Sequence, residues 1–468
     1  MHYKRNDPSA HDNLPESLKR NNFVEGGVRC IKHLSSKFRR FTVPIICTMT
    51  VLGLSLYPYA QSGYYSDDIY NSELNGTLNA LHETFYEFLC KILNLWVIQD
   101  GRLYPVGLIT NYFFWTFADN IKIDRALQII LVLLDDVLFW ILLHKVSKSF
   151  FISTMAVFII PVLLQVSNLS DGVTSFGGLY QIIPFFIFIA LYSLVKYVSE
   201  ARSSSLWIGL AAISEVCALL SYEISVCVVP GMLAISFCLA KDNARKIVGL
   251  AVTLCSFFLY LIMYFWFFIH KTAGYDGSEF WLSGLTLRTF FAQFFSAFPL
   301  ALVGNGAPPI VKINSFVMSC VLFFIAFFSA FAFIKKTNVE SLCCPSLSRQ
   351  KINSNNKRIF VLLVVALSLA LFPPLIISVS KKYEHLVGLG NSYSVVFVQI
   401  FGVALFFSLL FSKLPCLSVM KRENIAGFFK KYELLNLSFL SLIYATVFVV
   451  TVKVNFERLL SYNQTWDV

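Results

Sequence analysis

The chain has 468 residues, of which 57% are hydrophobic, 16% aromatic and only 14% charged, with a mean hydropathy of +0.67. Soluble domains carry about a quarter charged residues, so this composition excludes a soluble enzyme, a nucleic-acid binder and a secreted disulfide scaffold. The net charge of +11 would suggest nucleic acid in a soluble chain; here its distribution reports membrane orientation instead.

Residues 1–41 form a basic, polar segment without the short basic start and cleavage site of a signal peptide. Stop-and-orient duty accounts for its cations, with contact to anionic head groups as the second reading. Apolar runs long enough to cross about 30 Å of hydrocarbon then follow at 42–60, 126–144, 150–165, 179–197, 206–221, 224–240, 247–269, 314–334, 359–379, 394–412 and 434–452. The expected architecture is all-α and polytopic, with eleven transmembrane helices and a cytoplasmic N-terminus. Residues 42–334 make a front module, 335–358 a cytoplasmic linker, 359–453 a rear module and 454–468 a short external tail.

The stretch 103–118 is apolar enough to be ambiguous. If it does not cross, 27 of the 38 Lys and Arg fall on the cytoplasmic side, a strong positive-inside bias. Forcing it across would put the basic loops 335–358 and 413–431 outside. The first external loop therefore runs over 61–125, and its segment 80–98 reads as an amphipathic helix along the interface. Of the eleven cysteines only Cys90 falls in an external segment, so no disulfide framework follows.

Chemistry concentrates in that loop. YYSDDIYNSELNG places Asp67 and Asp68 just beyond the first span, flanked by Tyr64, Tyr65 and Tyr70. A shielded carboxylate there can hold a raised pKa and remove a proton from a hydroxyl; a solvated acidic loop is the plain alternative. In QDGRLYPVG, Arg102 follows a glycine and precedes aromatic and Pro residues, and its planar guanidinium suits a phosphate. As a lone cation it reads equally as a head-group anchor.

One span, a long external loop opening with an acidic pair, a Gly-Arg-aromatic-Pro turn and many further spans together resemble the glycosyltransferase C superfamily. The resemblance implies an integral-membrane, inverting glycosyltransferase whose donor is a hexose on a polyprenyl phosphate. It implies Asp67 or Asp68 as catalytic base and Arg102 as a contact for the donor phosphate. Asp171 in NLSDGVTS matches the second acidic residue such enzymes often present, against an Asp-Gly turn as the plain reading. Without an appended soluble domain the chain resembles enzymes that decorate surface glycans, such as O-antigen-modifying glucosyltransferases. That implies a bacterial inner-membrane location with the site facing the periplasm, and a polysaccharide or lipid-linked glycan acceptor.

Other external groups could complete a cleft: Glu223, Asp276, Glu279, Arg288, and the run Lys381, Lys382, Tyr383, Glu384 and His385. Lys381 and Lys382 depart from positive-inside placement and would suit a phosphate leaving group. The pattern requires no cofactor, and a divalent metal is left open. Asp135 and Asp136 in LQIILVLLDDVLFWILL, with Glu215 in the fifth run, argue the other way. Intramembrane acids mark ion pathways, so a lipid-linked oligosaccharide flippase or polymerase, or a secondary transporter, is the alternative.

Overall fold

The computed structural model describes residues 42–64, 67–117, 120–166, 171–200, 204–298, 313–341, 349–388, 392–419 and 426–464. The basic segment 1–41 and the middle of the linker, 342–348, lie outside them. Helices joined by loops make up the described residues, with no strand and one isolated β-bridge between Phe280 and Ser380. Helices are the expected solution where no water reaches the backbone, because each satisfies its own N–H and C=O groups.

Six helices are long and apolar enough to cross a membrane: α1 (Thr42–Ala60), α6 (Ile121–Ser147), α8 (Leu179–Ser199), α11 (Asn243–Ile269), and the stretches Asn355–Ser378 of α14 and Leu437–Leu459 of α17. This makes the chain an integral membrane protein. Shorter apolar helices accompany them: α7 (Phe150–Leu163), α9 (Ser205–Leu219), and segments within Glu223–Leu239, Ser319–Lys335 and Val396–Ser412. The last three belong to α10 (Val228–Leu239) with the 3-10 turn before it, α13 (Ile313–Ser341) and α16 (Val396–Val419). Polar caps start several helices. Asn120 accepts from Lys122 N and Ile123 N at 3.0 Å, and Asp242 accepts from Arg245 N at 2.9 Å.

Aromatic contacts tie the helices into one core. Phe139 of α6, Phe188 of α8 and Phe401 of α16 meet with centroids 5.0 to 5.2 Å apart. Phe158 of α7 stacks on Phe333 of α13 at 4.3 Å and on Tyr444 of α17 at 4.5 Å. Gly402 lets α16 approach α14 closely, since a Cβ there would lie 2.5 Å from the Ala370 nitrogen.

The first loop folds as the short helices α2 (Asp67–Ser72), α3 (Leu74–Leu81), α4 (Phe85–Leu93) and α5 (Pro105–Phe117). α4 begins with a capping box in which Thr84 and Glu87 bond each other's backbone, and a π-helical turn, Asn94–Gln99, continues it. α5, the ambiguous segment, spans only 13 residues, about 20 Å. Its first half meets the start of α8 at Gly107 against Leu179 and its second half at Phe114 against Gly178, so the chain leaves and returns at the same end of the bundle.

Three features differ from the sequence expectation. The loop after α11 contains α12 (Thr286–Phe295), which buries Thr289, Ala292 and Gln293 and leaves Leu287, Phe291 and Phe295 exposed. Its ten residues are too few for a hydropathy run. Helix occupies both ends of the linker 335–358, as α13 reaches Ser341 and α14 (Arg349–Ser378) starts at Arg349. α17 (Ala426–Gln464) continues through most of the tail 454–468. There Asn455 Nδ2 donates to Leu164 O at 2.7 Å and Arg458 Nη1 to Val166 O at 2.7 Å, which keeps the helix end attached to the bundle.

Candidate functional site

Two polar centres form at the end of the bundle to which the first loop returns. The first is built around Arg125, in the opening turn of α6. Its Nη1 lies 2.8 Å from Asp68 Oδ2, 3.2 Å from Asp124 Oδ2 and 2.7 Å from Gln128 Oε1. Its other terminal nitrogen donates to the Gly63 carbonyl. The Arg125 and Asp68 side chains are 2% and 0% exposed, so this is a buried pair. Burial, the largest influence, pushes the Asp68 carboxyl up to about 7; Arg125 opposes the rise and Asp124 adds to it. The Gly177 backbone also hydrogen-bonds Asp68. Glycine is required at 177 by close approach, because a Cβ would come within 2.7 Å of Gln128 Nε2 and Phe114 Cε1. Asp67 opens α2, and its side chain lies outside the described residues.

Asp171 joins this centre from the loop before α8. Its Oδ1 accepts from Val173 N and Thr174 N at 2.8 Å, closing the turn that its Asp-Gly sequence suggests. Its Oδ2 has no hydrogen-bond partner. Burial raises its pKa against those backbone bonds, and the charge of Arg125 also lowers it. Asp68 and Asp171, 103 positions apart in the sequence, thus both feel the charge of Arg125, but only Asp68 is bonded to it.

The second centre is Arg102. Its Nε and Nη2 grip Glu223 Oε1 and Oε2 at 3.0 and 3.2 Å, a bidentate pair. Four rings surround the guanidinium: Tyr104 at 4.5 Å, Tyr222 at 5.2 Å, Tyr275 at 5.4 Å and Trp96 at 5.9 Å. Burial works to lower the Arg102 pKa, but Glu223 and the tyrosines outweigh it and hold it well above the ordinary value. Gly101 sets the approach with φ +68, and a Cβ there would lie 3.0 Å from the Phe267 carbonyl. The Arg102–Glu223 pair closes the polar end of a cavity of about 190 Å³ between α11 and α14, whose walls include Tyr264, Phe265, Ile377 and Tyr383.

Of the paired lysines, Lys381 Nζ lies 3.1 Å from Glu279 Oε2 and 3.8 Å from Asp276 Oδ1, at the surface. Lys382 donates to the Tyr275 hydroxyl at 2.7 Å and lies 5.7 Å from the Tyr383 ring. It therefore sits beside the Arg102 cage, and no carboxylate among the described residues pairs with it. His385 is exposed and Glu384 buried on α15 (Tyr383–Leu386). A row of rings joins the two centres: Tyr104 to Tyr222 at 5.7 Å, Tyr222 to Tyr180 at 5.5 Å, and Tyr180 to Phe176, beside Gly177, at 5.6 Å.

The structure thus brings Asp68 and Asp171 together at one centre, and Arg102, Glu223 and Lys382 at the other. Lys381 and His385 lie towards the surface. Sequence reasoning missed Arg125 and Gln128; the available signal was an Arg at the start of an apolar run, where a cation drawn into the bundle needs a partner. Asp135 and Asp136 are 1% and 2% exposed inside α6, and neither carboxylate has a hydrogen-bond partner. Glu215 of α9 is approached by Ser256 of α11. Among the described residues no cluster of three His, Cys, Asp or Glu is arranged to hold a metal ion. No family model and no curated protein matches the sequence.

Proposed function

We propose that the chain is an integral-membrane glycosyltransferase that moves a hexose from a polyprenyl-phosphate donor to a surface glycan outside the cytoplasm. The eleven-crossing arrangement with a cytoplasmic N-terminus belongs to this proposal, as does a bacterial inner membrane with the site facing the periplasm. The observation that carries the reading is the presence, at one end of the bundle, of a carboxyl with pKa about 7 and, across a row of aromatic rings, an apolar cavity lined by the Arg102–Glu223 pair with Lys382 beside the Arg102 cage.

A carboxylate poised near neutral pH can take the proton of an acceptor hydroxyl as that oxygen attacks the anomeric carbon. Asp68 supplies it, and Arg125 fixes its orientation. The departing lipid phosphate needs a cation whose charge is not already spent. Arg102 is matched by Glu223, so Lys382, bonded to a neutral hydroxyl, is the better candidate, with Arg102 holding the cage in shape. The cavity wall on α11 suits an isoprenoid chain, because the outward neighbours Ile262 and Trp266 are 68% and 61% exposed and continue it into the lipid-facing surface.

The test is sugar transfer in proteoliposomes from a polyprenyl-phosphate hexose to extracted surface polysaccharide. Asp68→Asn is expected to lower the rate by about 10²- to 10⁴-fold, with donor binding kept. Transfer untouched by this change, or absent with every donor offered, sinks the reading. Secondary transport is the second reading, and the unpartnered Asp135 and Asp136 favour it; proton-coupled uptake lost in Asp135→Asn and Asp136→Asn, in a chain without transferase activity, would establish it.

A further inference from the structure

The end of the bundle remote from Arg102 gathers cations from four helices. α6 contributes Lys145 in its last turn and Lys148 as its C-cap, α8 contributes Lys196, α11 Arg245 and Lys246, and α14 Lys357 and Arg358. The acids described among them are Glu200 and Asp242, and both are occupied. Glu200 receives Lys145, lies 3.1 Å from Lys196, and accepts from Arg245 at its backbone carbonyl. Asp242 lies 3.5 Å from Arg245 Nε.

No described carboxylate lies within ion-pair distance of Lys148, Lys357 or Arg358. Lys145, Lys196 and Arg245 converge on Glu200 from three helices, and Lys148 and Arg358 lie near enough to this cluster for their charges to interact. Lys148, held at φ 57 directly after α6, has its ammonium pKa lowered by burial and then by repulsion from Lys145 and Arg358, which outweigh the attraction of Glu200. An anion bound between them would relieve that repulsion.

The flanking surface indicates where the anion comes from. Phe237 and Ile247 are 64% and 65% exposed, with the Lys246 ammonium 3.6 Å over the Phe237 ring, and Phe360, two residues after Arg358, is 53% exposed. A phosphate attached to acyl chains covers such apolar neighbours; a free phosphate leaves them bare. We propose that Lys145, Lys148 and Arg358 form a binding site for the phosphate head group of an anionic membrane phospholipid. The site is independent of sugar transfer.

The experiment is native mass spectrometry of the full-length chain released from nanodiscs containing equal amounts of phosphatidylglycerol and phosphatidylcholine. The parent is expected to retain phosphatidylglycerol at least ten-fold over phosphatidylcholine. Lys148→Gln/Arg358→Gln should lose that preference, while Lys271→Gln/Lys381→Gln at the other end keeps it. The melting temperature of each variant is measured alongside, and rescue by Lys148→Arg separates loss of charge from loss of fold. Equal retention of both lipids, an unaltered preference in the double variant, or full displacement by millimolar inorganic phosphate overturns the proposal.

Discussion

Arg125 holds Asp68 and Asp124 inside the bundle, so its charge has no substitute in solvent. Removing one partner of a buried pair leaves an uncompensated charge and costs on the order of 3–5 kcal/mol. Arg125→Gln should therefore lower the melting temperature in detergent sharply, and Asp68→Asn added to it should recover part of the loss. The pH dependence has a definite sign. Asp68 titrates at about 7 when folded against an ordinary 3.8, so the folded state holds the extra proton between those values. Stability from this group is greatest on the acid side and declines as pH rises from about 4 to 7. A rate that depends on ionised Asp68 climbs through the same upper limit, so stability and transfer move in opposite directions with pH. Paired pH series of melting temperature and rate check this, and Asp68→Asn should flatten the melting series. Asp68 was legible in the sequence because acids just beyond a first span are conspicuous. Its partner Arg125 was not, since 57 positions separate them and they meet only because α2 folds back against α5. Arg102 was legible as a cation, but Glu223, 121 positions away, read as a separate acid, and that pairing changes which residue is free to meet a phosphate.

Among the elements, α5 depends most on a single small residue. Gly107 faces the end of α9, where a Cβ would lie 2.1 Å from the Ser221 carbonyl and 2.6 Å from Leu179 Cδ1. The first contact is with backbone, which cannot rotate away. Gly107→Ala should shift α5 outward and loosen the Val106 N to Leu220 O bond of 3.0 Å, raising amide hydrogen exchange across 105–117 and disturbing the neighbouring Arg102 cage. Hydropathy made the long spans readable, and the amphipathic pattern of 80–98 made α4 readable. It could not reveal α12, whose burial comes from Thr289, Ala292 and Gln293 meeting other chain segments: Gln293 Nε2 lies 3.0 Å from Gln399 Oε1 and 3.2 Å from Tyr393 O. Polar residues buried by such partners leave no apolar period in the sequence.

At the scale of the molecule, the choice between enzyme and transporter turns on where its buried acids act. Asp135 and Asp136 lie near the middle of α6, within a turn of Phe139, whereas Asp68 lies at its Arg125 end. If the protein transfers sugar, Asp135→Asn and Asp136→Asn should each leave the rate within about two-fold, since an amide fills the same volume without an ionisable proton; a proteoliposome assay decides. The sequence placed these acids in an apolar helix correctly, but it could not say that both are buried without a hydrogen-bond partner.

α11 carries a further consequence. Its apolar window is 17% buried, and its fully buried residues are Gly249, Thr253 and Tyr260. A post held along so narrow a seam takes its tilt from the surrounding bilayer. Its 27 residues extend about 40 Å, beyond the hydrocarbon thickness of about 30 Å, and a mismatched helix tilts to fit. Because Tyr264 and Phe265 on that helix wall the cavity, membrane thickness becomes a setting of cavity width. Reconstitution in a series of lipids of increasing acyl length should change donor affinity progressively, while the Asp68 centre, tied to α6, keeps the same pH midpoint throughout.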